Sequence, residues 1–265
     1  MKIAIVIPLR NEEGCVPELL RRLKGVLEHV PWEWEILLVD DASCDRTWSC
    51  IRSFHREDPR VKGIRFAQPA GHEVAMFAGL EWACGDGVLT MDGDLQHPPE
   101  KIPDFVESWQ DGLDLIYGFK TDQLGRSWFK MSLNRLFHLL FSLRTGISLH
   151  PETSNFQILG RRLVDQIVAS WEPSIFLRGW FHRHAKKKKE IPFRADRRFW
   201  GRTKQNIPRL IAVGIRSLLF FPSNSKRSFG TGCLVPGSTT FYALSETLGL
   251  RPEDSCQPNA VYPPK

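Results

Sequence analysis

Short apolar runs alternate with longer amphipathic segments over the first half of the chain. The runs have the length of buried strands, whereas the longer segments carry apolar residues at helical spacing, as at Leu19, Leu20 and Leu23. The predicted strands are residues 3–7, 35–39, 61–66 and 88–91, and the predicted helices are residues 12–30, 45–54 and 73–83. This β-α-β rhythm predicts an α/β fold, with a mostly parallel sheet covered by helices on both faces.

The second half is richer in predicted helices. We predict helices at residues 98–109, 128–143, 161–170, 176–184 and 207–221, and strands at residues 115–119 and 156–159. After Pro222 the periodicity fades and Ser, Gly, Thr and Pro accumulate, which is typical of irregular chain. We therefore expect a main domain over residues 1–205, an amphipathic membrane-interface helix over 206–222 and an irregular tail over 223–265.

Composition adds limits to this picture. The chain has 265 residues, of which 42% are hydrophobic and 25% charged, so it can form a normal core. Its net charge of +6 suits an anionic partner such as a phosphate or an acidic lipid. The basic residues do not interleave with a recognisable nucleic-acid module, so no nucleic-acid partner is expected.

Cysteines and apolar runs bear on the compartment. The six cysteines form no CxxC pair, so we expect mostly reduced, semi-buried thiols in the cytoplasm rather than a zinc site or a dense disulfide framework. The N-terminal apolar run over residues 3–8 is typical of a buried strand rather than a signal peptide. No stretch of 18 uninterrupted apolar residues occurs, as a transmembrane helix would need. The most similar stretch, residues 210–221, is too short and is interrupted by Arg216.

The sharpest chemical signal is the acidic sequence MDGDLQHPP at residues 91–99. It comes directly after a predicted strand, and ligands of parallel α/β sheets bind at the carboxyl ends of the strands. Asp92 and Asp94 can both face one hard cation, such as Mg²⁺ or Mn²⁺, with a small residue between them. The alternative is an acidic loop that caps the next helix. Asp40 and Asp41 come after another predicted strand and would lie at the same edge.

Three segments carry a family resemblance: IVIPLRNEE, LLVDDASCDRTW and GLEWACGDGVLTMDGDLQHPPEKIPDF. Together they resemble inverting glycosyltransferases of family 2, which have the GT-A fold, a Rossmann-like α/β architecture. The most similar branch contains dolichyl-phosphate mannose synthase and bacterial polyprenyl-phosphate glycosyltransferases. The resemblance extends over residues 3–221. Its DGDLQHPPE segment is specific, because family members typically carry DADLQHPPE there.

The resemblance implies a divalent metal site. Asp92 and Asp94 would hold Mg²⁺ or Mn²⁺, with Gln96 as a third ligand. Asp92 would also contact the nucleotide-sugar, and Asp94 would count among the catalytic residues. The metal would neutralise charge on the departing nucleoside diphosphate.

The resemblance also implies a pocket for the donor nucleotide. Pro8, Asn11 and Glu12 would line it, and Asp40 and Asp41 would contact the base or the ribose. A structural alternative stays open for Glu12, whose charge favours a helix N-terminus.

A basic constellation is expected to bind the acceptor phosphate. Arg126, Lys130 and Asn134 are spaced four apart and would share one helix face. The alternative is a solvated basic face. By resemblance, Arg126 is the strongest acceptor candidate and a catalytic residue.

A further phosphate-binding segment lies in RRFWGRTKQNIPRL. It resembles the family's Arg-x-x-Gly-x-Ser-Lys loop, which closes over donor and acceptor, with Thr203 where Ser is usual. Arg198, Thr203 and Lys204 would contact the acceptor phosphate, with Lys204 also catalytic. We leave His72 out of the predicted site, because a lone histidine is more often structural.

The expected activity is transfer of a sugar from a UDP- or GDP-linked donor to a polyprenyl phosphate, with inversion, at the cytoplasmic face of a membrane. The helices at residues 128–143 and 207–221 and the lysine run 186–189 would contact the lipid surface. Many relatives continue into transmembrane helices, whereas this chain continues into the predicted tail. Several alternatives stay open. The protein could be a peripheral enzyme, could depend on a partner membrane protein or a homo-oligomer, or could be a truncated, non-catalytic nucleotide binder. It could also be a soluble family 2 enzyme with a saccharide or protein acceptor.

Overall fold

Buried strands form the centre of the molecule in a computed structural model, which describes residues 1–109, 112–121, 128–170, 176–200 and 244–250. The strands are β1 (Lys2–Leu9), β2 (Glu33–Asp40), β3 (Val61–Phe66), β4 (Gly87–Thr90), β5 (Leu115–Lys120), β6 (Thr153–Gly160), β7 (Lys188–Phe193) and β8 (Leu244–Leu248). The helices are α1 (Val16–Leu27), α2 (Thr47–Glu57), α3 (His72–Trp82), α4 (Ile102–Trp109), α5 (Trp128–Thr145), α6 (Arg161–Ser170) and α7 (Leu177–His184).

The described strands form one sheet of eight, in the order β7-β5-β6-β4-β1-β2-β3-β8. The pairs β1–β2, β1–β4, β2–β3 and β5–β7 are parallel. The strands β6 and β8 run antiparallel to their neighbours. The predicted α/β class and mostly parallel sheet are confirmed.

Strand β1 is buried on both faces, which explains its unbroken apolar sequence. Ile3, Ile5 and Ile7 face the helices α1, α2 and α4, and Ala4 and Val6 face α3, α6 and α7. Burial of each isoleucine contributes about 1.5–3 kcal/mol to folding. Since β1 lies between β2 and β4, its burial holds three strand ends at one edge.

Two edge strands were missed in the sequence. Residues 188–193 form β7, whereas the lysine run at 186–189 gave no sign of a strand. An edge strand tolerates exposed lysines, so its sequence lacks the apolar pattern by which a buried strand is predicted. Residues 244–248 form β8, so the prediction of an irregular tail over 223–265 is wrong there. Backbone pairing with β3 and a 2.7 Å hydrogen bond from Trp48 Nε1 to Glu246 Oε2 hold β8.

The proposed helix at 207–221 and the 206–222 segment lie outside the described residues. Within the described ranges, we find no helix that is both long and apolar enough to cross a bilayer.

The packing of α3 on β1 requires a glycine at position 79. A Cβ there would overlap the side chain of Val6. We expect Gly79→Ala to lower the free energy of unfolding by about 1–3 kcal/mol through overpacking. The matched control is Gly25→Ala, because Gly25 in α1 has open space around it, and this change should stabilise by up to about 1 kcal/mol through helix propensity. Urea unfolding measures the free energy of unfolding of both variants. A Gly79→Ala variant as stable as the unaltered protein would contradict the close packing of α3 on β1.

Candidate active site at the carboxyl ends of the strands

Three residues with unusual backbone angles mark one edge of the sheet. Asn11, Ala42 and Leu95 have φ values of 51°, 50° and 62°, and each comes after the carboxyl end of β1, β2 or β4. Such left-handed conformations cost free energy in non-glycine residues and cluster at functional sites. The edge predicted to bind ligands is therefore also where the backbone is most constrained.

Asn11 joins the loops that come after β1 and β2. Its backbone N–H donates to Ser43 Oγ at 2.9 Å, and its Oδ1 accepts the backbone N–H of Cys44 at 2.8 Å. The N–H of Glu12 donates to Thr47 Oγ1 at 2.9 Å. These bonds fix the relative position of the two loops, so Asn11 has a structural role whether or not it binds a nucleotide.

Asp40 is fully buried and incompletely paired. Its Oδ1 accepts the N–H of Ser43 at 3.2 Å, and Arg65 Nε lies 3.3 Å from Oδ2. The Oδ2 atom has no hydrogen-bond partner among the described residues. Burial raises the pKa of Asp40, and the hydrogen bonds from Ser43 oppose this shift.

The carboxylate of Asp41 already has hydrogen-bond and ion-pair partners within the chain. Its Oδ1 accepts the N–H groups of Ala70 at 2.6 Å and Gly71 at 3.1 Å, directly before α3. Arg10 Nη1 lies 3.4 Å from its Oδ2. Asp41 thus anchors the loop that begins α3, and its predicted contact with the base or ribose stays a prediction.

The residue between the two aspartates has to be small. A Cβ at Gly93 would overlap the side chain of Leu9, the last residue of β1. The Asp92–Asp94 segment therefore lies directly against the end of the neighbouring strand. Strand β1 in turn pairs with β2, which ends at Asp40, so the acidic segment and Asp40 follow strands on either side of β1.

Asp94 and Gln96 face cations. Asp94 Oδ1 accepts the backbone N–H of Gln96 at 3.1 Å, and its Oδ2 accepts a hydrogen bond from Arg198 Nη2 at 2.8 Å. Gln96 Oε1 accepts a hydrogen bond from Lys120 Nζ at 3.3 Å. Arg198 was predicted at the acceptor phosphate, and the structure pairs it with the second aspartate.

Asp92 is held on both sides by polar groups. Asn155 Nδ2 donates to its Oδ1 at 2.9 Å, and His97 Nε2 lies 3.8 Å from its Oδ2. Burial raises the pKa of Asp92, but His97, His72 and the hydrogen bond from Asn155 outweigh this effect and leave the pKa at about 2. The carboxylate is ionised at neutral pH, as a ligand for a hard cation must be.

His97 is a buried, neutral neighbour of Asp92. Burial lowers its pKa to about 4, although Asp92 acts in the opposite direction. The backbone N–H of Asp92 donates to His97 Nδ1 at 2.9 Å, and His97 Nε2 has no hydrogen-bond partner among the described residues. The ring stacks on Phe156 at 5.3 Å, which fixes its orientation.

The segment before residue 201 lies over this edge. The N–H of Asp196 donates to the Gln96 carbonyl at 3.2 Å, next to the Arg198–Asp94 contact. The indole of Trp200 rests on Gly14, where a Cβ would come within 2.6 Å of the ring. The predicted phosphate-binding loop therefore begins over the loop after β1.

The expected metal ligands fit a hard divalent ion. Asp92, Asp94 and Gln96 offer oxygen atoms only, which Mg²⁺ and Mn²⁺ prefer. The guanidinium of Arg198 already sits on Asp94, as a cation stand-in would. Among the described residues, no group of three or more His, Cys, Asp and Glu side chains could hold a metal.

The predicted acceptor residues are only partly described. Arg126, Thr203 and Lys204 lie outside the described residues, as does the side chain of Lys130. Asn134 Nδ2 donates to the Pro151 carbonyl at 2.7 Å and ties α5 to the loop before β6.

Pro8, predicted in the nucleotide pocket, is buried within β1 and pairs with Val39 of β2. It lies one residue before the strand end at which the candidate site is built.

Four polar residues of this site were missed or set aside in the sequence. They are His72, Lys120, Asn155 and Arg178. Lys120 ends β5, and Asn155 reaches the site through the antiparallel register of β4 and β6. Only strand pairing reveals these two positions, because no motif in the sequence singles them out.

Comparison with known proteins identifies the family of this chain. The sequence profile described as glycosyl transferase family 2 matches residues 4–168. The uncharacterized glycosyltransferase YkcC of Bacillus subtilis is 30% identical over 243 residues, which are 91% of this chain and 75% of that protein. The bactoprenol glucosyl transferase of Shigella phage SfV is 33% identical over 179 residues, which are 68% of this chain and 58% of that protein.

A solved structure shares the fold. Glucosyl-3-phosphoglycerate synthase of Mycobacterium tuberculosis, crystallised with Mn²⁺, UDP and glucosyl-3-phosphoglycerate, superposes with a TM-score of 0.53 at 16% identity and covers 84% of this chain and 81% of its own. The family profile covers more than half of this chain, and its relatives align over most of it. By its sequence and its sheet, this chain belongs to glycosyl transferase family 2.

Proposed function

We propose that this protein transfers a sugar from a nucleoside-diphosphate donor to a polyprenyl phosphate at a membrane surface, with inversion at the anomeric carbon. The observation that carries the proposal is the clustering of Asp92, Asp94 and Gln96 with the cations Arg198 and Lys120 at one sheet edge. Carboxylates for a metal and cations for phosphates are both needed where two phosphate-containing substrates meet.

The donor nucleotide would bind over the ends of β1 and β2. Because Asp40 has no exposed surface, its Oδ2 would accept a hydrogen bond from the base or the ribose only after neighbouring groups such as Arg65, 3.3 Å away, move. Asn11 and Glu12 lie in the adjoining loop, and they hold that surface in place through Ser43 and Thr47.

The residues of the chain would position both phosphates. A bound Mg²⁺ or Mn²⁺ would neutralise charge on the leaving diphosphate. The bond from the anomeric carbon to the diphosphate oxygen breaks, and an oxygen of the lipid phosphate forms the new bond to the same carbon. Arg198 and Lys120 stabilise negative charge near that carbon, and by resemblance Arg126 and Lys204 join them.

A phosphate acceptor needs no general base from the chain. A phosphate is ionised at neutral pH and attacks without a general base, whereas a sugar hydroxyl benefits from one. The lipid acceptor is also that of the bactoprenol glucosyl transferase relative, as its name states.

Contact with a membrane would come from the exposed apolar face of α5. Four leucines within two helical turns are between 43% and 76% exposed, namely Leu136, Leu139, Leu140 and Leu143. Exposed apolar residues at helical spacing suit insertion into the headgroup region of a bilayer. The lysine run at 186–189 would add attraction to anionic lipids.

Loss of charge at the second aspartate should stop transfer. Asp94→Asn keeps the side-chain size but removes the charge that holds the metal, so we expect the rate to fall at least about 100-fold. Asp104→Asn is the matched control, since Asp104 lies exposed on α4. Assays with polyprenyl phosphate measure the rate, and thermal unfolding checks the fold. Full activity of Asp94→Asn would exclude a metal role for this residue.

Arg198 should compete with the metal for Asp94. We expect Arg198→Ala to tighten Mn²⁺ binding about threefold to tenfold, because removal of a nearby cation is worth about 1 kcal/mol. The same change should slow transfer. Arg197→Ala, at the neighbouring residue, serves as the control. Calorimetric titration with Mn²⁺ tests this, and unchanged or weaker binding would contradict the competition.

The leucine face should govern binding to lipid. We expect the double variant Leu139→Ser, Leu143→Ser to bind vesicles that contain phosphatidylglycerol about tenfold more weakly, because two partly inserted leucines lose contact with the bilayer. Its melting temperature should not fall, since both side chains are exposed. Co-sedimentation measures binding, and vesicle affinity equal to that of the unaltered protein would argue against this face.

A further inference from the structure

We infer that Asn155 is a positioning residue that orients Asp92 for metal binding, and that Arg178 fixes the orientation of Asn155. The inference rests on the proposed function, because it assumes a metal at Asp92. It concerns two residues that neither the sequence motifs nor the resemblance single out.

Strand pairing places Asn155 opposite Asp92. Strands β4 and β6 are antiparallel, with Thr90 paired to Gln157. Continuation of this register by two residues brings position 92 against position 155. A hydrogen bond of 2.7 Å from Thr90 Oγ1 to the Asn155 carbonyl holds the two strands together beyond the paired residues.

The guanidinium of Arg178 decides which way the amide of Asn155 faces. Arg178 Nη2 donates to Asn155 Oδ1 at 2.8 Å, and its Nη1 donates to the Thr153 carbonyl at 2.7 Å. A guanidinium can only donate, so the amide oxygen must face it. The amide nitrogen is then directed to the opposite side, toward Asp92.

Both hydrogens of that nitrogen have acceptors. Asn155 Nδ2 lies 2.9 Å from Asp92 Oδ1 and 3.0 Å from His72 Nε2. His72 Nε2 also lies 3.4 Å from Asp92 Oδ1, so the amide of Asn155 and the His72 ring flank the same carboxylate oxygen. The amide donates to that oxygen without adding charge, and this hydrogen bond restricts the orientation of the carboxylate.

Loss of a hydrogen-bond acceptor at Arg178 would be costly. Burial lowers the pKa of Arg178, and Asp92 and Glu73 oppose this shift. Its two Nη groups have acceptors, whereas Nε has none among the described residues. The two Nη contacts therefore hold the amide of Asn155 in the orientation that directs its nitrogen to Asp92, as partners that orient metal ligands do.

Gln157 offers a contrast on the same strand. It is a fully buried amide two residues from Asn155, and its Nε2 donates to the Ser154 carbonyl at 2.8 Å. That hydrogen bond stays within β6 and does not engage Asp92, Asp94 or Gln96. If both amides had only a structural role, replacement of Asn155 or of Gln157 by alanine would have the same effect on Mn²⁺ affinity.

The test is the affinity for Mn²⁺, measured by electron paramagnetic resonance on the full chain without nucleotide or acceptor. We expect Asn155→Ala to weaken Mn²⁺ binding by about 10–100-fold, the usual loss when a partner of a metal ligand is removed. Gln157→Ala should bind Mn²⁺ like the unaltered protein, even if its melting temperature falls. Equal affinity of Asn155→Ala and the unaltered protein, or an equal loss in Gln157→Ala, overturns the inference.

Arg178→Lys keeps the inference testable if Asn155→Ala does not fold. Lysine retains the cation but cannot donate to both Thr153 and Asn155 in the same fork geometry. We expect a smaller loss of Mn²⁺ affinity in the same direction, and no loss would overturn the orienting role. Failure of the unaltered protein to bind Mn²⁺ would instead reject the metal in the proposed function, so the two failures are distinguishable.

Discussion

The structure depends on burial of β1 on both of its faces. Because β1 is covered by helices on each side and lies between β2 and β4, three parallel strands must end at the same edge. Each of those ends continues into a loop with a left-handed residue. The apolar sequence of β1 thus brings Asp40, Asp92 and Asp94 into one region, although Asp40 lies far from the other two along the chain.

Hydrogen bonds to the side-chain oxygens organise the site once the strands have placed it. Asp94 accepts from Arg198, Gln96 from Lys120, and Asp92 from the amide of Asn155. In the proposed function, the two cations would bind phosphates when a metal takes their place. The same residues would then stabilise the folded chain without ligands and contact both substrates when they bind.

Local sequence pattern is enough to predict the central strands and the acidic segment after β4. Strands such as β1 and β2 are buried on both faces, which leaves an apolar run, and a motif marks where the run ends. The edge strands β7 and β8 escape prediction, since their stability comes from pairing and not from their own apolar residues. Asn155 and the anchoring role of Asp41 depend on contacts distant in sequence, which only the folded chain reveals.

In the proposed reaction, this sheet edge transfers a sugar between two phosphates with the help of a divalent ion. The most direct measurement incubates the purified protein with undecaprenyl phosphate and labelled UDP- and GDP-sugars, first with EDTA and then with Mn²⁺ restored. We expect label from one donor to enter the lipid only when Mn²⁺ is present. Label that enters the lipid equally in EDTA, or never enters it from any donor, would contradict the proposed reaction.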